Sequence, residues 1–181
     1  DSVGVLCEFT RLLLDVNRSP DSQTLIQTHC EDHALSFNSD LSAAEKNRRI
    51  EALHRGFHDG LHRAFTTRSA RGPAHLVSVH SFTPVWNGQP RPMEVGILFD
   101  RYETEAATLA RALEHEGFAV ALNAPYSGLG GELMYSATRH GDAQGVPYLE
   151  LELRQDLVAT TAQARCVAER VSRALKVFEP R

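Results

Sequence analysis

Apolar positions along this chain follow two rhythms, short runs or strict alternation in some segments and a three-to-four spacing in others. Residues 12–16, Leu-Leu-Leu-Asp-Val, read as a buried strand. From Asn17 to about Asp40 the chain turns polar, a stretch of more than 20 residues that holds His29-Cys30-Glu31-Asp32-His33. Connections this long in a compact domain carry function or lack order. Ile50, Leu53, Phe57, Leu61 and Phe65 then recur at helical spacing, and Ser42 with Glu45 has capping-box spacing, so a helix is predicted over 43–66. The run Leu76-Val77-Ser78-Val79 predicts a strand that stops at His80, before the polar turn Ser81-Phe82-Thr83-Pro84. A turn-rich loop over 86–92 precedes a strand over 94–99. A helix over 105–116 stops at Gly117, and a short strand follows over 118–122. Residues 123–145 are glycine-rich and polar and read mostly as loop. Strict alternation over 148–153 predicts a strand, and Asp156 is placed to cap a last helix reaching about Val177.

Strand and helix alternate, which argues for an α/β domain with a largely parallel sheet covered by helices. No internal repeat, low-complexity tract or second domain interrupts the pattern, so one domain is expected over 1–181. A chain of 181 residues is long enough to bury a sizeable core.

Composition narrows the function classes. A net charge of -4 argues against a general nucleic-acid binder, while leaving room for a basic pocket that takes an acidic small molecule. No apolar run has the length to span a bilayer, and Asp1-Ser2-Val3-Gly4 lacks the features of a signal peptide. Cys7, Cys30 and Cys166 are widely spaced and form no CxxC pair, so a reducing cytoplasm is expected.

Several residues have the chemistry of a site. Ligands in α/β sheets bind at the carboxyl ends of strands, where His80 is placed to hold a metal or move a proton. The alternative is a core histidine bonded to a neighbour. Asn17-Arg18 follows the first predicted strand, and an arginine fork matches a carboxylate. A plain surface arginine is the bland reading. Glu150 and Glu152 share one strand face while Leu149, Leu151 and Leu153 fill the other. Glu152, near the strand end, is placed to serve as general base, whereas a wet edge strand would explain both acids without function. His54, His58 and His62 line one helix flank but lack the glutamate of an HExxH motif, so a solvated face is expected. His29, Cys30, Asp32 and His33 are read as a mobile polar loop before a chelating cluster. Gly128, Gly130 and Gly131 match neither a P-loop nor GxGxxG and read as a lid or turn.

Five segments taken together carry a resemblance. They are Thr10-Arg-Leu-Leu-Leu-Asp-Val-Asn-Arg18, Asn47-Arg-Arg-Ile50 with His58 downstream, His80-Ser-Phe-Thr-Pro-Val-Trp-Asn-Gly-Gln-Pro-Arg-Pro92, Asn123-Ala-Pro-Tyr-Ser127 and Glu150-Leu-Glu-Leu-Arg-Gln-Asp156. In order and spacing they resemble the N-formylglutamate amidohydrolase family over nearly the whole chain. That family is similar in turn to the zinc carboxypeptidases. The resemblance implies a single three-layer αβα domain with a mostly parallel mixed sheet. It implies a cytoplasmic, zinc-dependent hydrolase of N-formyl-L-glutamate or a related N-acyl amino acid, in histidine degradation. His80 would be a Zn2+ ligand, Glu152 the general base, and Asn17 with Arg18 the grip on a substrate carboxylate. Arg91, Tyr126 and Arg154 join the substrate-binding set, Arg91 as positive charge near a second carboxylate or the oxyanion and Tyr126 as a cover.

The chain departs from the family at its opening. Cys7-Glu8 is followed by Phe9 where the family has a Cys-Glu-His type of segment, so His80 is the one zinc ligand that the resemblance supplies. A catalytic zinc needs three protein ligands as a rule. The domain is therefore expected to begin before these residues. A relative that binds acyl amino acids without hydrolysis and a carboxypeptidase-like peptidase stay open as alternatives.

Overall fold

A computed structural model describes residues 2–179. Four strands make its one extended sheet: β1 (Leu76–Phe82), β2 (Val95–Leu98), β3 (Val120–Leu122) and β4 (Tyr148–Arg154). Their order is β1-β4-β2-β3. β1 runs parallel to β4, β2 runs parallel to β3, and β4 meets β2 antiparallel. The sheet is thus mixed and mostly parallel.

Helices cover both faces, giving the expected αβα layers. α1 (Ala43–Arg49) continues through a π-helical turn, Ile50–Arg55, into α2 (Gly56–Ser69). Ser42 Oγ caps this long helix by accepting from the Glu45 amide. α3 (Glu103–His115) is followed by Gly117, whose φ of 84° suits a residue without Cβ. α4 spans Tyr135–Gln144, and α5 spans Thr161–Leu175.

Alternation along β4 splits the interior in two. Leu149 and Leu151 join Val95, Ile97 and residues of α3 and α5 in the larger cluster. Fully buried side chains such as Ile97, Leu109, Leu113 and Leu151 each contribute about 1.5–3 kcal/mol by leaving water. Leu98, Met134, Ala137 and Tyr148 form a smaller apolar cluster on the α4 side. The remainder of that side, toward the carboxyl ends of β1 and β4, is polar.

Three expectations are corrected. Residues 12–16 form no strand: Leu13 and Arg18 amides close turns onto Thr10 and Asp15 carbonyls, and the Asp15 carboxylate accepts from the Asn17 amide. The run is apolar because Leu14 is buried against the fold, not because it pairs in the sheet. Within 123–145 there is a helix, α4, whose Gly141 lets it lie against the Tyr148 ring in a space that a Cβ would fill. α5 is capped by a Thr160–Gln163 capping box, while Asp156 pairs with Arg154. Among the described residues no helix is long and apolar enough to cross a membrane.

Candidate active site

The register of two strands builds the centre of the site. Ser78 and His80 on β1 stand opposite Glu150 and Glu152 on β4. All four project to the face away from Leu149 and Leu151, because side chains alternate along a strand. His80 Nε2 lies 2.8 Å from Ser78 Oγ and 3.4 Å from Glu150 Oε2. One donor atom each from His80, Glu150 and Glu152 falls within 4.8 Å of the others. Among the described residues this is the one group of three side chains suited to a metal ion.

The electrostatics of these groups are unusual. Glu150 is 2% exposed and Glu152 6%, so two carboxyls are buried side by side. Burial, then the charge of Glu152, pushes the Glu150 pKa up against the Asn17 hydrogen bond and the charge of Arg18. Burial likewise raises Glu152, with Arg11 and Arg91 pulling the other way. His80 is held neutral, its pKa lowered to about 4 by burial and by Arg11. Glu152 Oε2 is buried with no hydrogen-bond partner. A buried carboxylate oxygen without a donor is costly, and the two acids with the neutral imidazole offer donor atoms that could hold a metal ion.

The turn over 15–18 closes one wall. Asn17 Nδ2 donates to Glu150 Oε2 at 3.1 Å and to the Leu133 carbonyl at 2.6 Å. Its Oδ1 accepts from the Ser136 amide at the start of α4 at 2.9 Å. Asn17 is therefore taken up by the fold on both ends of its amide. Arg18 donates to the Asn17 carbonyl and lies 3.9 Å from Asp15, with its guanidinium partly exposed. Together with Ser19, Asp21, Ser22, Gly131, Glu132 and Tyr135 it lines a cavity of about 240 Å³.

Arg91 and Tyr126 meet on another side. Arg91 Nη1 donates to Tyr126 Oη at 3.2 Å, and its guanidinium carbon lies 5.2–5.6 Å from the rings of Phe82, Trp86 and Tyr126. Arg154 lies beneath that loop. Its Nη1 donates to the carbonyls of Arg91, Pro92 and Met93, each at 3.2 Å, and its other nitrogens hold Asp156. Ala124 O sits above Gly96, the residue opposite Glu152 on β2, where no Cβ would fit.

Glu150 is the residue that reading for a metal ligand missed. Its signal was present, since alternation placed it on the face of Glu152. His54 and His58 overturn the expected solvated face: each is 2% exposed, and only His62 of the three is exposed. His29 and Cys30 pair with Ala34 and His33 in a short antiparallel ladder, and none of them belongs to the three-residue group. Gly128–Gly130 is a single 3-10 turn capped by Ser127.

A family model described as N-formylglutamate amidohydrolase matches residues 2–159. The crystal structure of the gene product Atu2144 from Agrobacterium tumefaciens superposes with a TM-score of 0.82 at 32% identity, over 95% of this chain and 70% of that one. The crystal structure of an N-formylglutamate amidohydrolase from Ralstonia eutropha JMP134 shares the fold, with a TM-score of 0.67 at 19% identity, over 92% of this chain and 72% of that one. No protein of curated function matches the chain.

Proposed function

This chain belongs to the N-formylglutamate amidohydrolase family, and on that premise we propose that it hydrolyses the amide of N-formyl-L-glutamate or a close N-acyl amino acid with a divalent cation, zinc by preference. The observation that carries the cation is the pair of buried carboxyls beside neutral His80, one of them with an unpartnered oxygen. His80 and Glu150 would hold it, with Glu152 adjoining. When bound, zinc supplies a Lewis acid for the acyl carbonyl and lowers the pKa of a water.

The residues divide the remaining work. Glu152 takes a proton from the attacking water and passes it to the leaving nitrogen, so that acyl C–N cleavage yields formate and the free amine. Its raised pKa suits both halves of that task near neutral pH. Asn17 orients Glu150 through Nδ2. Arg18 offers its guanidinium to a substrate carboxylate, and Arg91, framed by three rings, offers a second positive charge. Tyr126 travels with Arg91 and covers the site. Arg154 acts through the loop that carries Arg91. The three cysteines without disulfides support a reducing compartment such as the cytoplasm.

The test is formate release from N-formyl-L-glutamate with zinc, set beside the metal content of Glu152→Gln. A general base predicts that E152Q keeps its metal and loses about 10²–10⁴-fold in kcat. A variant that loses zinc and activity together would make Glu152 a ligand. Undiminished turnover would remove it from the reaction.

A further inference from the structure

Two of the buried histidines on the long helix reach the backbone of one short turn. His54 Nε2 lies 2.9 Å from the Arg18 carbonyl, and His58 Nε2 lies 3.0 Å from the Val16 carbonyl. These are the two carbonyls on either side of the Asn17-Arg18 pair's first residue. A carbonyl only accepts, so both histidines carry their proton on Nε2. His58 Nδ1 is then an acceptor, and His140 Nε2 on α4 donates to it at 2.9 Å. Ser136 Oγ donates to the Val16 carbonyl as well, at 3.0 Å.

We propose that His54 and His58 are positioning residues: as neutral Nε2–H donors they clamp the Val16 and Arg18 carbonyls and so hold Asn17 against Glu150 and aim Arg18 at the substrate. The inference rests on the site assigned above to Glu150, Asn17 and Arg18. Three observations on different elements support it. The turn over 15–18 has no strand ladder to hold it, so its carbonyls need other donors. The π-helical turn Ile50–Arg55 contains His54, and such register changes are frequent at functional sites. Finally, the His54 and His58 rings pack at 4.3 Å, tilted by 44°, and His58 stacks on His140 at 5.2 Å, which restricts the rotation of the rings.

Groups facing these rings agree with a neutral state. Tyr135 of α4 packs edge-on to His58, and Arg139 of α4 disfavours protonation of His54, His58 and His140. Asp15 works weakly in the other direction on His54, and burial is the largest influence on all three.

His54 gives the cleaner test, since His58 also pairs with His140 and the Val16 carbonyl that it meets also accepts from Ser136 Oγ. His54→Leu removes the donor, and His54→Gln returns an N–H at the same reach. We expect H54L to raise KM for N-formyl-L-glutamate about tenfold with kcat within about twofold, and H54Q to recover most of that loss. In nitrogen-resolved NMR, wild-type His54 and His58 should both appear as neutral Nε2–H tautomers. The Asn17 side-chain amide resonance should move in H54L and stay in H54Q. An Nδ1–H tautomer, an unmoved Asn17 signal in H54L, or equal damage in H54L and H54Q would each overturn the proposal. A wild-type protein without activity toward this substrate would remove the substrate reading alone, because the spectra decide the positioning independently.

Discussion

Asn17 Nδ2 and Glu150 Oε2, 133 positions apart in the chain, meet at 3.1 Å inside the protein. The contact ties an irregular turn to the central strand β4, and Ser136 ties the same amide to α4. One short side chain thus joins three parts of the fold at the wall of the candidate site. The consequence is that the orientation of Glu150 depends on a loop.

Replacing Asn17 therefore tests the coupling. Asn17→Leu leaves the Leu133 carbonyl, the Ser136 amide and Glu150 without their buried partner. We expect a loss of about 2–4 kcal/mol in unfolding free energy by urea titration, together with weaker zinc binding by calorimetry. Unchanged zinc affinity would show that Glu150 keeps its place without the amide.

Stability should respond to pH in two directions. His54, His58, His80 and His140 are held neutral by burial, so the unfolded chain takes up protons that the folded one refuses. Their contribution is lost as pH falls below the ordinary value of 6.5. Glu150 and Glu152 are raised, Glu150 to about 8, so the folded protein keeps protons that the unfolded one has released. Their contribution is lost as pH rises. From about 6.5 to about 8 the carboxyls dominate, and the metal-free protein should lose Tm with rising pH in that window. Zinc removes the repulsion, so its stabilisation should be larger at the upper end. Thermal melts in chelator and in zinc check both signs.

The loop that carries Arg91 should loosen when Arg154 is changed. Arg154→Met removes the donor to three successive carbonyls and both bonds to Asp156. The expected outcome is a KM several-fold higher with zinc content unchanged. Arg154→Lys should recover little, because an ammonium cannot reproduce the planar fork.

Gly96 gives a steric test of the opposite wall. A Cβ there overlaps Ala124 O, so Gly96→Ala must push the segment that leads to Tyr126 away from β2. We expect a cost of about 1–3 kcal/mol in a denaturation curve and reduced turnover of N-formyl-L-glutamate. A variant with wild-type stability and activity would mean that the segment yields freely.

Periodicity in the chain was enough for the α/β class and for four sheet strands to within a few residues, because alternation and helical spacing are local consequences of side-chain direction. The same local rule placed Glu150 and Glu152 on one face, but it stopped β1 at His80, whereas Ser81 and Phe82 stay paired with Leu153 and Arg154 and carry the strand on to Phe82. Local pattern could not say that β4 lies beside β1 in a register that sets His80 opposite Glu152, since that pairing is decided by hydrogen bonds between distant strands. Nor could it distinguish a buried apolar turn at 12–16 from a strand, since both hide leucine from water. α4 was invisible for a related reason: its glycine and polar residues are poor helix formers alone and are stabilised by the Tyr148 ring and the buried contacts of Ser136 and His140. His54 and His58 look like a wet helix flank until the Val16 and Arg18 carbonyls are brought against them. From the sequence alone came the α/β class and a set of candidate polar residues, two of them, Glu150 and Glu152, on one strand face. The tertiary structure decided which of those residues touch, because burial and long-range hydrogen bonding set the partner of each polar group.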